Sequence, residues 1–208
     1  TPVSTPTPKP TPINLSVDAR ITPAAGLLDV EQCRAQDLTP RPNESQGFPR
    51  PPNVVPPRGT VKVMVLPFST TDFVFTAQDL VNLKSALNAT RAFYERASDG
   101  QLALEFDYAE PAQWVRLPRA ADDYNLINKQ PQQNNQAMVE EIFRLAPSSL
   151  DFDQYDAVIL ESTRWTVSGG GQGFAGERFP AAKGTAKRVN LDFGNAVQSF
   201  DTLRHELG

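Results

Sequence analysis

The only histidine of the chain is followed directly by a glutamate, in the segment TLRHELG that contains His205 and Glu206. A His-Glu pair begins the pattern H-E-x-x-H, in which two histidines four residues apart share one helical face and bind one Zn²⁺. The second histidine of that pattern would be the residue after Gly208. His205 is therefore a candidate zinc ligand and Glu206 a candidate general base, although an exposed polar helix face would show the same four residues.

The chemistry of such a site is the activation of water at neutral pH. Zinc bound by protein ligands lowers the pKa of its water to about 7, and a glutamate beside the metal can take a proton from that water. Because a catalytic zinc usually has three protein ligands, a single imidazole predicts weak zinc binding and no cleavage by residues 1–208 alone.

The residues around the His-Glu pair have helical spacing from about Asn195 onward. One apolar stripe is formed by Val197, Phe200, Leu203 and Leu207. Helical projection places His205 away from that stripe, so we expect this final helix to direct the imidazole towards a cleft.

The periodicity of the apolar residues further upstream predicts an α/β (α+β) domain. Residues 76–99 predict a long helix with Thr76 and Asp79 as a capping pair and Gly100 as its end. A second helix is predicted at residues 135–146, and residues 118–135 are predicted to be a loop. Strands are predicted at residues 60–68, 101–108, 113–117, 157–160 and 187–193, with 113–117 paired to 101–108.

Residues 168–176, SGGGQGFAG, contain five glycines. A phosphate-binding loop would need a lysine and a helix directly after the glycines, and neither is present. We therefore predict a mobile loop at the edge of a cleft.

Three carboxylates, those of Asp151, Asp153 and Asp156, precede the predicted strand at residues 157–160. Clustered oxygens suit Ca²⁺, but the segment lacks the further Asp or Asn and the turn glycine of a calcium-binding loop. A solvated turn before a strand is the other interpretation.

The distribution of proline divides the chain, since 13 of the 19 prolines lie in residues 1–57. Residues 1–12 favour polyproline II and predict a stalk or linker, residues 13–59 predict an irregular Pro-rich arm, and residues 60–208 predict the folded domain. No apolar run is long enough to cross a membrane, although such a stalk is common in proteins anchored to a cell wall or membrane. The net charge of −4 argues against nucleic acid as a partner, and the single Cys33 permits no internal disulfide.

Several segments of residues 60–208 resemble, in the same order, secreted bacterial metallopeptidases of the immune inhibitor A type, a zincin family. These segments are VKVMVLPF, FYERASDGQLALEFDYAEPAQWVRLP, DFDQYDAVIL, GGGQGFAG and TLRHELG. The resemblance implies the N-terminal subdomain of a zincin, with a twisted mixed sheet backed by helices and the active-site helix at its C-terminal end. It also implies that His205 binds Zn²⁺, that Glu206 is the general base, and that the remaining zinc ligands follow Gly208.

The function that the resemblance implies is zinc-dependent endopeptidase action on a polypeptide, by an exported, extracellular or cell-envelope protein of a bacterium. The alternative is a non-catalytic cell-surface interaction module with a degenerate peptidase fold. Zincins commonly hold their substrate as an added strand along an exposed sheet edge. By that resemblance residues 173–179 are the candidate edge, and the expected substrate-binding residues are Gly173, Phe174, Ala175 and Gly176.

Overall fold

The computed structural model describes residues 55–56, 58–124, 135–162 and 170–193. These residues form a mixed α/β domain with a mostly parallel sheet and two α-helices. The predicted stalk at residues 1–12, nearly all of the predicted arm and the predicted final helix lie outside the described residues. The elements are β1 (Gly59–Ser69), α1 (Ala77–Ala97), β2 (Leu102–Tyr108), β3 (Val115–Arg116), α2 (Gln136–Leu145), β4 (Ala157–Ser162), β5 (Gly170–Pro180) and β6 (Thr185–Phe193).

The main sheet has the strand order β2-β1-β4-β6-β5. Strands β1, β2, β4 and β6 are parallel, and β5 alone runs antiparallel to its neighbour β6. The sequence-based expectation of a mixed sheet backed by helices is therefore confirmed at this level.

The predicted partner of β3 is wrong, because β3 pairs with β1 and not with β2. Val115 lies opposite Phe68 in a short parallel ladder, and the Leu117 N–H donates to the Ser69 carbonyl over 2.8 Å. The chain leaves β2 through a 3₁₀ turn at Pro111–Gln113, which carries it past the carboxyl end of β1. Alternating apolar residues predict a strand but do not name its partner.

The alternation in β1 divides the core between the two faces of the sheet. Val61, Val63 and Val65 face α1 and pack in one cluster with Leu83 and Leu87. Met64, Leu66 and Phe68 of β1 belong to a second cluster, which also includes Val139, Ile142 and Phe143 of α2. Since both sets are buried, β1 is an interior strand, as its β-branched run predicts.

Both described helices lie where the periodicity predicts them. Thr76 caps α1 through its side chain, and the Asp79 carboxylate accepts the Thr76 N–H over 2.8 Å, which confirms the predicted capping box. After the helix the chain reverses at Gly100, whose N–H donates to the Glu95 carbonyl over 2.7 Å. Neither helix has a stretch that is both apolar and long enough to pass through a bilayer.

The glycine-rich segment is a strand over its described part, so the predicted mobile loop is wrong for residues 170–176. These residues form the first half of β5 and pair with β6, from Gly170 opposite Phe193 to Phe174 opposite Val189. Phe174 anchors the strand, since it is 3% exposed and packs against Phe179 with 5.6 Å between ring centroids. Burial of a few aromatic side chains therefore fixes a segment whose glycines favour no regular structure.

Candidate functional site

Buried polar residues concentrate at the carboxyl ends of the two central parallel strands. Four of the six such residues in the described part are Ser69 and Thr70 at the end of β1 and Glu161 and Ser162 at the end of β4. The chain passes from β1 to β2 on one side and reaches β4 on the other, so these ends flank a topological switch point. Ligands of open α/β sheets bind at such a point, and this edge is the candidate site.

The loop after β1 borders this region and is held in place by hydrogen bonds. The Thr70 hydroxyl donates to Asp72 Oδ1 over 2.7 Å and accepts the Phe73 N–H, while Ser69 Oγ accepts the Phe75 N–H over 2.9 Å. Asp72 Oδ1 also accepts the Ala121 N–H over 2.8 Å, which joins two loops. Burial raises the pKa of the Asp72 carboxyl, but the hydrogen bonds from Thr70 and Ala121 outweigh it and hold that pKa below its ordinary value.

Glu161 is the acidic residue at the centre of this edge. It is 1% exposed, lies opposite Pro67 of β1, and lies opposite Asp192 of β6 on its other side. From the end of β6 at Phe193 the chain reaches His205 after 12 residues. The segment that carries the His-Glu pair therefore starts from the same edge of the sheet.

The structure gives no position for His205 and Glu206, because both lie outside the described residues. Within the described ranges, no three histidine, cysteine or acidic side chains lie close enough together to hold a metal ion. The predicted zinc site accordingly stays a prediction.

The three carboxylates that precede β4 all contact other segments of the chain. Asp153 Oδ1 accepts the Thr185 N–H over 3.0 Å, Asp156 Oδ2 accepts the Lys62 N–H over 3.0 Å, and Asp151 forms an ion pair of 3.1 Å with Lys183. The hydrogen bond from Lys183 lowers the pKa of the Asp151 carboxyl. The contacts of Asp151 and Asp153 hold the turn between β5 and β6 against the segment before β4, and the contact of Asp156 joins that segment to β1.

The predicted substrate-binding residues lie on β5, which is an edge strand of the sheet. In the described part of the chain β5 pairs with β6 alone, so one side of its backbone has no strand partner. Gly173 is exposed, and Phe174 is buried in the core. Phe174 can therefore meet a bound peptide only through its main chain, and together with Gly173, Ala175 and Gly176 it forms the open edge.

A bulge interrupts β5 immediately after Phe174. Phe174 pairs with Val189 and Arg178 pairs with Lys187, so the three residues 175–177 face the single residue Arg188. Arg188 has a φ of 48°, which is a left-handed conformation that costs about 1–3 kcal/mol for a residue with a side chain. Bulges and strained backbone both concentrate beside functional sites, where a bulge redirects a side chain.

Glu177 is the last of the three residues in this bulge. The residue is half-buried, its Oε2 atom is buried, and within the described part of the chain that oxygen has no hydrogen-bond partner. Sequence reasoning missed both the bulge and Glu177, although a signal existed. Phe174 and Phe179 are an odd number of residues apart and are both buried in one cluster, which a regular strand with alternating side chains does not allow.

The opposite edge of the sheet differs from β5 in its side chains. Strand β2 exposes Glu105 and Asp107, and Arg91 of α1 lies over the Phe106 ring with 5.6 Å to its centroid. Charged residues of this kind protect an edge against the addition of another strand. The glycine-rich start of β5 carries no charged side chain from Gly170 to Gly176, so β5 is the better candidate for binding an extended peptide.

Comparison with models of known protein families, with curated proteins and with solved structures finds no match to this chain. The described residues define its class as a mixed α/β domain whose mostly parallel sheet is backed by two helices.

Proposed function

We propose that this chain is the N-terminal part of a zinc-dependent endopeptidase that hydrolyses peptide bonds in extended polypeptides. The observation that carries the proposal is the HELG segment, which follows β6 by only a short stretch of chain, combined with the open, glycine-rich edge of the neighbouring β5. We also propose that the fold is the N-terminal subdomain of a zincin, because residues 60–208 resemble that family.

The edge of β5 supplies the means of holding a substrate. An extended peptide can add to an exposed sheet edge through main-chain hydrogen bonds, and the absence of side chains at Gly173 and Gly176 lets another backbone approach closely. The hydrogen bond from the Thr185 N–H to Asp153 holds the turn of the β5–β6 hairpin in place. The open edge of β5 is therefore connected to a turn whose position is fixed.

The chemistry follows from the two residues of the HELG segment. His205 would contribute one imidazole to Zn²⁺, together with ligands that follow Gly208. Bound zinc would supply a water of lowered pKa and polarise the scissile carbonyl. Glu206, the next residue along the chain, would accept the proton of that water and later donate it to the leaving amine.

The test uses the full-length protein, including the residues that follow Gly208. His205→Ala should lose zinc and peptide cleavage together, because a ligand is removed. Glu206→Gln should retain zinc and lose roughly 10²–10⁴-fold in kcat, because a positioned proton acceptor is removed and no ligand is lost. Glu105→Gln, which removes an exposed carboxylate from β2 at the opposite edge of the sheet, is the control and should change neither quantity.

Zinc content by elemental analysis and cleavage rates on unstructured polypeptides decide between the proposal and its alternative. A Glu206→Gln protein with wild-type turnover would exclude the proposed mechanism. If the wild-type protein binds no zinc and cleaves nothing, the non-catalytic cell-surface module becomes the better description. The proposed setting is outside the bacterial cell or in its envelope, with residues 1–12 as a stalk, and fractionation of the producing cells tests it.

A further inference from the structure

We propose that β5 pairs with a polypeptide only along residues 170–174, and that the ladder of main-chain hydrogen bonds ends at the bulge. The substrate class that follows is an extended segment in which the main chain of about five residues is recognised, with no proline where an N–H must donate to β5. The inference rests on the proposed peptidase function, because it sets the extent of the substrate site at that same edge.

Residues 170–174 form the regular part of β5. They pair one to one with β6, from Gly170 opposite Phe193 to Phe174 opposite Val189. A regular edge strand presents its alternate N–H and carbonyl groups towards the position of an added strand. In the described part of the chain no strand lies on that side of β5. These five residues can therefore continue the sheet into a bound peptide.

The bulge ends this regular pairing directly after Phe174. Residues 175–177 face the single residue Arg188, and one-to-one pairing resumes only at Arg178. A bulge bends its strand, increases the local twist and can terminate pairing. The left-handed φ of 48° at Arg188 is a second departure from strand geometry at the same point. A peptide that pairs with residues 170–174 is therefore not in line with the rest of β5.

The part of β5 after the bulge, residues 178–180, has two further features that oppose strand addition. Arg178 is exposed and pairs with Lys187 of β6, so two positively charged residues lie side by side there. Pro180 has no N–H and cannot donate to an added strand. Bulges, charged residues and proline are the features that protect natural sheet edges. Residues 170–174 include neither a charged residue nor a proline, so the open edge is confined to them.

The open part of β5 is also the part nearer to the candidate site. Gly170 lies opposite Phe193, at the carboxyl end of β6, whereas residues 178–180 lead into the β5–β6 turn at the other end of the sheet. The carboxyl ends of the parallel strands are where the buried polar residues concentrate and where the chain continues towards the His-Glu pair. A ladder restricted to residues 170–174 therefore holds the peptide beside that edge.

The experiment maps the bound peptide on the full-length Glu206→Gln protein, in which hydrolysis is slowed. A long unstructured peptide is added, and hydrogen–deuterium exchange is followed at single residues of β5. Alternate amides within residues 170–174 should exchange about 2- to 10-fold more slowly, the range expected for one hydrogen bond. The amides of Arg178 and Phe179 should not change.

Two variants and a set of modified peptides provide the controls. Gly173→Lys places a charge on the open part of β5 and should remove the protection. Arg178→Gly removes a charge beyond the bulge, is the matched control, and should neither remove nor extend the protection. Peptides that carry one N-methyl group each test the unaltered protein. N-methylation should weaken binding about 2- to 10-fold at alternate positions of one stretch of five residues.

Protection that continues through Arg178 and Phe179 would overturn the inference, and so would a peptide that binds without protecting residues 170–174. The inference would also fail if no peptide bound. Cleavage by the wild-type protein together with any of these results would leave the peptidase function standing without this site. Protection confined to residues 170–174 in a protein whose wild type cleaves nothing would retain the site and reject the peptidase function.

Discussion

The turn between β5 and β6 offers a sharp test of how the edge strand is held. Gly184 has a φ of 76°, and a Cβ atom there would lie 2.7 Å from the backbone nitrogen of Asp153. That distance is shorter than real Cβ contacts, and the atom that it meets is backbone, so the turn would have to move. We expect Gly184→Ala to lower the free energy of unfolding and to detach the turn from the start of β4.

The magnitude follows from two separate contributions. A left-handed conformation costs a residue with a side chain about 1–2 kcal/mol. Moving the turn also breaks the hydrogen bonds from Thr185 N–H to Asp153 and from Phe152 N–H to the Lys183 carbonyl, each worth about 0.5–1.5 kcal/mol. Gly184→Ala should therefore cost about 2–5 kcal/mol.

Gly100→Ala is the matched control. Gly100 has a nearly identical φ of 73°, but a Cβ atom there would meet nothing within 4 Å. Only the conformational contribution applies, so this variant should cost about 1–2 kcal/mol. The difference between the two variants isolates the steric contact with Asp153.

Urea unfolding at neutral pH measures both variants, and thermal unfolding provides a second observable. Each kcal/mol corresponds to about 2–4 °C in Tm for a domain of this size, so the two melting temperatures should be separable. Equal losses in Gly184→Ala and Gly100→Ala would refute the argument that the turn is clipped to Asp153.

Two further predictions concern the core beneath β5 and the hydrogen-bonded loop that follows β1. Phe174→Ala should lower the free energy of unfolding by about 3–5 kcal/mol, because its ring is buried in the core; a substrate-contacting side chain would instead change KM at unaltered stability. Because the folded pKa of Asp72 lies below its ordinary value of 3.8, the stability that its charge contributes is present above that value and is lost as the pH falls through the folded pKa. Asp72→Asn should therefore lower the free energy of unfolding at neutral pH but not in strong acid. Urea unfolding of both proteins across that pH range measures this, and a difference in unfolding free energy that does not change with pH would contradict it.

The local elements of this chain could be predicted because their signals are local. The capping pair of Thr76 and Asp79 marks the start of α1, and its apolar spacing at three and four residues continues to its end. The β-branched run of β1 predicts an interior strand, which packing on both faces confirms. Only the boundaries moved, by one or two residues.

The candidate site was predicted less completely. Residues 173–179 lie on β5, an edge strand in the described part of the chain, and their role as a substrate-binding edge stays a prediction. The glycines suggested a loop, since they have no side-chain pattern from which a strand could be recognised. The ring of Phe174 lies in the core, so only its main chain is open to a peptide, which the sequence does not show. The roles of His205 and Glu206 stay predictions from the motif.

The sequence by itself determined where α1, α2 and the buried strands lie, because helix caps and hydrophobic periodicity act over a few residues. Tertiary structure alone decided that β3 pairs with β1, that residues 170–176 form an edge strand of the described sheet, and that a bulge interrupts this strand between Phe174 and Arg178. Those outcomes depend on partners distant in the chain, such as Phe179 stacking on Phe143 with 5.6 Å between centroids. Strand pairing depends on the connections between strands and on burial against distant residues. The spacing of apolar residues within one segment contains neither kind of information.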